Sequence, residues 1–155
     1  WDSWQKYSDC YAAYRANLEL KGSKDVESYL RKLEEREDYL IIISLDNQYK
    51  ENELVGMLEE FMGIDPYELD NSASVVLDNG TIRYQTPAQP KYLWYTETDL
   101  SDIAVVRGEE GSMEVLVNNQ VQNHSFSDVT IMVYDKTLDT IADVVSYNAD
   151  GVLTR

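Results

Sequence analysis

Tyr39-Leu40-Ile41-Ile42-Ile43-Ser44-Leu45 is the stretch that decides the fold. A strand with one wet face alternates apolar and polar side chains. This one is apolar throughout except for Ser44, and it is rich in β-branched residues. It predicts a central strand buried on both faces. Asp38 precedes it and Asp46-Asn47 turns the chain after it.

Upstream the period is helical. Trp4, Tyr7, Tyr11, Tyr14 and Leu18 recur at spacings of three and four, a stripe that stops near Lys21-Gly22. Ser23 or Asp25 can cap a second helix whose buried face is Val26, Tyr29, Leu30 and Leu33. Downstream, Leu54, Val55, Leu58, Phe61 and Met62 predict a third helix ending at Gly63. After Asp65-Pro66 the period changes to two. Residues 73–77 and 81–85 flank Asp78-Asn79-Gly80, a strong hairpin signal. Pro87 and Pro90 mark an irregular crossing. Short strands are expected at 92–96, 103–107, 113–117, 129–134 and 141–147, with a turn at Asn118-Asn119. Helices, one strand, a helix and then six or so strands make an α+β chain: a β-sandwich or a highly curved sheet with helices packed on it.

Charge narrows the partners. Twenty-nine acids against 13 Lys and Arg give a net charge of −16 in 155 residues. Nucleic-acid binding needs phosphate-neutralising bases, and docking on an anionic membrane needs a basic patch. Both are disfavoured. Residues 1–63 carry 14 acids and 8 bases, and residues 64–155 carry 15 and 5, so the β half is the more acidic. The longest apolar run, Leu40–Ile43, is far short of the ~20 residues that span a bilayer, so this fragment does not insert directly. With one cysteine, Cys10, and one histidine, His124, a zinc site is excluded and no intrachain disulfide can form.

Catalytic signatures are missing. There is no phosphate-binding glycine loop and no nucleophile elbow. Gly108-Glu109-Glu110-Gly111 would repel a phosphate. His124 lies in a polar, loop-like segment, and Cys10 sits one residue off the aromatic stripe, where a free thiol behaves as a small hydrophobe. A carboxylate hydrolase needs only two facing acids, and no pair is marked out. The acid groups Asp65, Glu68, Asp70 and Glu97, Asp99, Asp102 lack the spacing of a calcium loop and read as solvated surface. Neither a metal nor a cofactor is expected.

The most suggestive local feature is Lys91-Tyr92-Leu93-Trp94-Tyr95. Simple alternation puts Tyr92 and Trp94 on one face. If that face is outward, the two rings form a platform on which a sugar can stack, with Asp99 and Asn123 as partners for its hydroxyls. In the opposite arrangement Trp94 belongs to the core and Tyr92 to its rim.

Val115-Leu116-Val117-Asn118-Asn119, a nine-residue polar stretch, Val129–Asp135 and Ile141–Asn148 together resemble the interleukin-like epithelial–mesenchymal transition inducer (ILEI) domain in its bacterial form. Tyr39–Asp46 matches that family's upstream strand. The resemblance runs from about Lys24 to Gly151, which divides the chain into an N-terminal helix or stalk, residues 1–23, and an ILEI-like domain, residues 24–155. The family's Asn-Gly turn is Asn118-Asn119 here, and its Arg-Gly is Ser127-Asp128. The resemblance implies two packed, mainly antiparallel sheets, sandwich-like and flanked by helices, and no enzyme activity. It implies an extracytoplasmic domain of a bacterial, membrane-anchored cell-surface protein. A relative similar to a carbohydrate-binding module suggests carbohydrate or envelope polymer as ligand, and the net charge of −16 favours neutral or amino sugars of the envelope over anionic polymers. A protein partner is the alternative, with the domain acting as a spacer that positions an attached membrane enzyme.

Overall fold

The computed structural model describes residues 2–46, 48–85, 92–108, 111–123, 127–148 and 152–155. Pro87, Pro90 and His124 lie outside them. Helix α1 spans Asp2–Lys21, α2 Val26–Glu34 and α3 Val55–Met62. Asp25 caps α2 by accepting a 2.9 Å hydrogen bond from the Ser28 amide, and that bond holds its carboxyl below the ordinary value. Val26, Tyr29, Leu30 and Leu33 are buried, as their spacing predicts. Gly63 ends α3 at φ 76°, a left-handed conformation suited to glycine. Single 3₁₀ turns at Tyr49–Glu51 and Pro66–Glu68 have no periodic signature in the sequence.

Among the described residues there are nine strands: β1 Tyr39–Leu45, β2 Ala73–Asp78, β3 Thr81–Gln85, β4 Tyr92–Glu97, β5 Asp102–Arg107, β6 Met113–Val117, β7 Gln120–Val121, β8 Val129–Asp135 and β9 Thr140–Tyr147; all but the two-residue β7, which the sequence did not suggest, follow the expected segments closely. They form two antiparallel sheets, one in the order β3-β2-β1-β8-β9 and one in the order β4-β5-β6-β7. The fold is α+β with two sheets. The hairpin turns use left-handed residues: Asn79 and Gly80 at φ 53° and 73°, Asn118 and Asn119 at 52° and 67°. Two consecutive positive φ angles are what a tight two-residue hairpin needs to match strand twist.

Strand β1 is central, and all seven of its residues are buried. Tyr39, Ile41, Ile43 and Leu45 join the core under the helices, with Val75, Ile131 and Val145 from neighbouring strands. Leu40 and Ile42 point the other way, into a second core with Val105, Val115 and Met132 that lies between the two sheets. The five-stranded sheet is thus covered by helices on one face and by the four-stranded sheet on the other. Ile42 and Ile43 are fully buried. Truncating either to Ala would cost ~2–5 kcal/mol through lost contacts and a residual cavity.

Polar ties lock these layers. Tyr29 on α2 donates to Asp143 on β9 at 3.0 Å, and the Arg155 guanidinium bonds the same carboxylate and the Leu20 carbonyl of α1. Burial, with the Asp143 charge beside it, pushes the Tyr29 hydroxyl well above its ordinary pKa. The C-terminal half of α1 packs into the body, with Ala13, Asn17 and Leu20 buried. Among the described residues no helix is long and apolar enough to cross a membrane.

Candidate functional site

Strand β4 carries the sequence-predicted platform, and a bulge reorganises it. Tyr92 pairs with Val106 and Trp94 with Val105, so the register shifts between them. The strict alternation that would place Tyr92 and Trp94 on one face does not run through this bulge. Trp94 lies opposite Val105, a fully buried inter-sheet residue, and packs against that core half-buried. Trp94 thus takes the second of the two arrangements open to it, a ring packed on the inter-sheet core. The Tyr92 side chain lies outside what is described.

The other two predicted ligand contacts do not converge on it. Asp99 is exposed on the turn between β4 and β5. That turn is held by Asp139 of the β8–β9 connection. Asp139 accepts from the Thr98 hydroxyl, from the Tyr134 hydroxyl at 2.6 Å and from the Leu100 amide at 3.0 Å. Asn123 lies beyond β6, at the opposite side of the sheet. Its Oδ1 accepts from the Val115 amide at 3.1 Å and its Nδ2 donates to the Met113 carbonyl at 2.9 Å. Three strand spacings, ~14 Å, separate it from β4. Its amide serves the sheet edge rather than a sugar hydroxyl.

What the bulge turns outward is Tyr95. It is 52% exposed, and its hydroxyl donates to Asp102 at 3.1 Å. Partial desolvation and the Asp102 carboxylate both push that hydroxyl above its ordinary pKa. Tyr95 pairs with Ala104, Ala104 with Leu116, and Leu116 with Val121. These four residues make one apolar row straight across the outer face of the four-stranded sheet. Val121, at its far end, is 54% exposed. Glu97 and Asp102 stand beside the tyrosine end, and Glu114 flanks the middle. A solvated sheet face is ordinarily polar. A flat apolar row rimmed by carboxylates is instead suited to a ligand with an apolar face and hydroxyl or ammonium groups at its edge. The alternation of Met113–Val117, with Leu116 outward, was the available sequence signal for this row. The bulge at β4 hid its other end.

A cleft of about 290 Å³ lies between α2 and α3. Leu30, Met57 and Phe61 line it together with Glu27, Glu34 and Glu60. Arg31, its one base, is paired with Glu27. It sits at the small end of the range for ligand pockets. Among the described residues no three His, Cys, Asp or Glu side chains group as a metal-binding set.

Comparison with family models, with curated proteins and with solved structures returns no match to this chain.

Proposed function

We propose that the chain is a non-catalytic binding module, the extracytoplasmic part of a bacterial membrane-anchored surface protein. Its ligand site is the outer face of the four-stranded sheet, and its ligand class is the neutral or amino sugars of the cell envelope. The observation that carries the reading is the outer-face row Tyr95–Ala104–Leu116–Val121, exposed at its two ends, with Asp102 bonded to its tyrosine. A sugar can lay its C–H face on the Tyr95 ring while its hydroxyls donate to Glu97 and Asp102. The net charge of −16 favours neutral or cationic sugars over anionic wall polymers. The resemblance to the ILEI domain supports the location and the sugar class. The reading calls on no metal and no cofactor.

The test is a glycan array that includes bacterial wall fragments, probed with the wild-type chain and with Tyr95→Ala. Binding by the wild type that the variant loses, at unchanged circular dichroism, supports the sheet-face site. A blank array with a folded protein overturns it.

A separate observation favours a second reading, a protein-contact or spacer domain. Trp4, Tyr7, Tyr11, Tyr14 and Leu18 on α1 are all more than half exposed. An apolar patch of that size on a monomer commonly marks a contact surface.

A further inference from the structure

The aromatic stripe of α1 faces away from the body. At 100° per residue, Ala13, Asn17 and Leu20 define the docked side, and the centre of the stripe lies roughly 140° round the helix from it. Residues 3–9, the first turns of α1, are exposed throughout, so nothing in the described fold covers the N-terminal part of the stripe. Trp4 and Tyr7 already stack on each other, ring centroids 6.0 Å apart.

Three features say what covers it. The spacing 4, 7, 11, 14, 18 is a three-four repeat without a break, the seam of one helix paired with another. The area fits a small dimer. Aromatic side chains offer ~150–250 Å² each, so exposures of 52–75% leave roughly 600 Å² bare per copy, the lower edge of specific interfaces. The charge is permissive at this place. Helix α1 has Asp2, Asp9 and Glu19 against Lys6, Arg15 and Lys21, so it is neutral while the rest of the chain carries the whole −16. A membrane-surface helix would need an excess of Lys and Arg on its polar face. Tyrosine and tryptophan are instead what protein interfaces favour.

We infer that α1 is a homodimer seam, in which two copies of this chain pair antiparallel along Trp4, Tyr7, Tyr11, Tyr14 and Leu18. The inference rests on the protein-contact reading and is independent of the sugar site. The antiparallel sense follows from charge. It places the two acidic bodies at opposite ends of the pair, whereas the parallel sense sets them side by side. A two-fold axis then passes near Tyr11, and Trp4 of one copy meets Leu18 of the other.

The experiment is sedimentation velocity of the whole chain up to about 200 µM, since contacts at the low end of interface size include weak ones. Reducing agent keeps Cys10 from contributing a disulfide. The wild type is expected to move from 17.9 kDa towards twice that mass as concentration rises. Added salt should strengthen the association, because it screens the two bodies from each other. Tyr7→Ser/Tyr14→Ser should weaken it by ~10-fold or more, as loss of buried interface rings does, while Tyr7→Phe/Tyr14→Phe keeps it. On a Cys10→Ser background, Trp4→Cys and Leu18→Cys, mixed and oxidised, should cross-link to each other. A wild type that stays monomeric throughout overturns the dimer, as does a dimer that the serine pair leaves intact. Cross-linking of Trp4→Cys to itself alone overturns the antiparallel sense. If instead the serine pair lowers the melting midpoint by more than about 5 °C, the rings serve the fold, and the protein-contact reading falls with the dimer.

Discussion

The Asn17 amide of α1 donates a 2.8 Å hydrogen bond to Asp135 at the end of β8, joining residues 118 positions apart. The oxygen of the same amide accepts from the Tyr39 hydroxyl at 2.7 Å. Tyr39 and Asp135 are cross-strand partners of β1 and β8. One amide therefore ties a helix to the central strand of the five-stranded sheet and to its neighbour β8. Asp135 is fully buried, and its other oxygen accepts from the amides of Thr137 and Leu138 at 2.8 and 3.2 Å. Burial, with the Asp135 charge nearby, pushes the Tyr39 hydroxyl up to about 12 despite Arg36 beside it.

Asn17→Ala leaves a buried carboxylate oxygen and a buried tyrosine hydroxyl without partners. The expected cost is ~1–3 kcal/mol, a fall of roughly 3–10 °C in melting midpoint for a chain of this size. Asn17→Asp should cost more, since it sets a second carboxylate against Asp135. Thermal melts at pH 7 check both. Equal midpoints for wild type and Asn17→Ala would show that the amide does not anchor α1.

This anchor was not legible in the sequence, and the reason is physical. Periodicity reports which side chains share a face, and with the turn signals it found β1, the face of α2 and the β2–β3 hairpin almost to the residue, and the Asn118-Asn119 turn without the short strand that returns from it. It does not report which face is covered. The stripe Trp4–Leu18 is the most apolar face of α1, yet the helix docks through Ala13, Asn17 and Leu20. A polar Asn at the centre of the contact is chosen by Tyr39 and Asp135, residues that only the register of β1 on β8 brings together. The register of β4 was hidden for a related reason. A bulge has no composition signature, and one extra residue reverses every side chain beyond it.

Asp139 makes part of the stability pH-dependent. The Thr98 hydroxyl, and after it the Tyr134 hydroxyl, hold its carboxyl below the ordinary value of 3.8. As pH falls, the unfolded chain therefore takes up this proton before the folded one does. The contribution is complete above the ordinary value and is lost as pH falls through the folded one. Asp139→Asn should lower the melting midpoint by a few °C at pH 7, and the gap should narrow below about pH 4. Melts of both proteins from pH 2 to 7 test this, and a gap that widens towards acid would contradict it.

The β6–β7 turn invites a stabilising change. Asn119 sits at φ 67°, where a side chain is strained and glycine is not. The β2–β3 hairpin already has glycine at the matching place, Gly80 at φ 73°. Asn118 is better kept, since its Oδ1 accepts from the Asp102 amide at 2.9 Å. Asn119→Gly should add about 0.5 kcal/mol, with the gain reduced by the greater freedom of glycine in the unfolded chain. Denaturant titration should show the midpoint rising at constant slope. A fall would mean that the Asn119 side chain supports the turn.

Trp94 and Tyr95 are neighbours with opposite assignments, so their substitutions should separate cleanly. Trp94 packs against the inter-sheet core with Val105 and Val115, and Trp94→Ala removes ring contacts that no neighbour can replace. A half-buried ring should cost ~1–3 kcal/mol, below the full range for a buried aromatic. Any loss of ligand binding by that variant then follows from a loosened sheet. Tyr95 stands on the outer face with its hydroxyl bonded to an exposed carboxylate. Tyr95→Ala should change stability by less than about 1 kcal/mol while removing the stacking ring. The two unfolding midpoints, measured beside binding, give a two-way contrast. A stable Trp94→Ala with an unstable Tyr95→Ala would mean that β4 is turned over, with the tryptophan as the exposed ring.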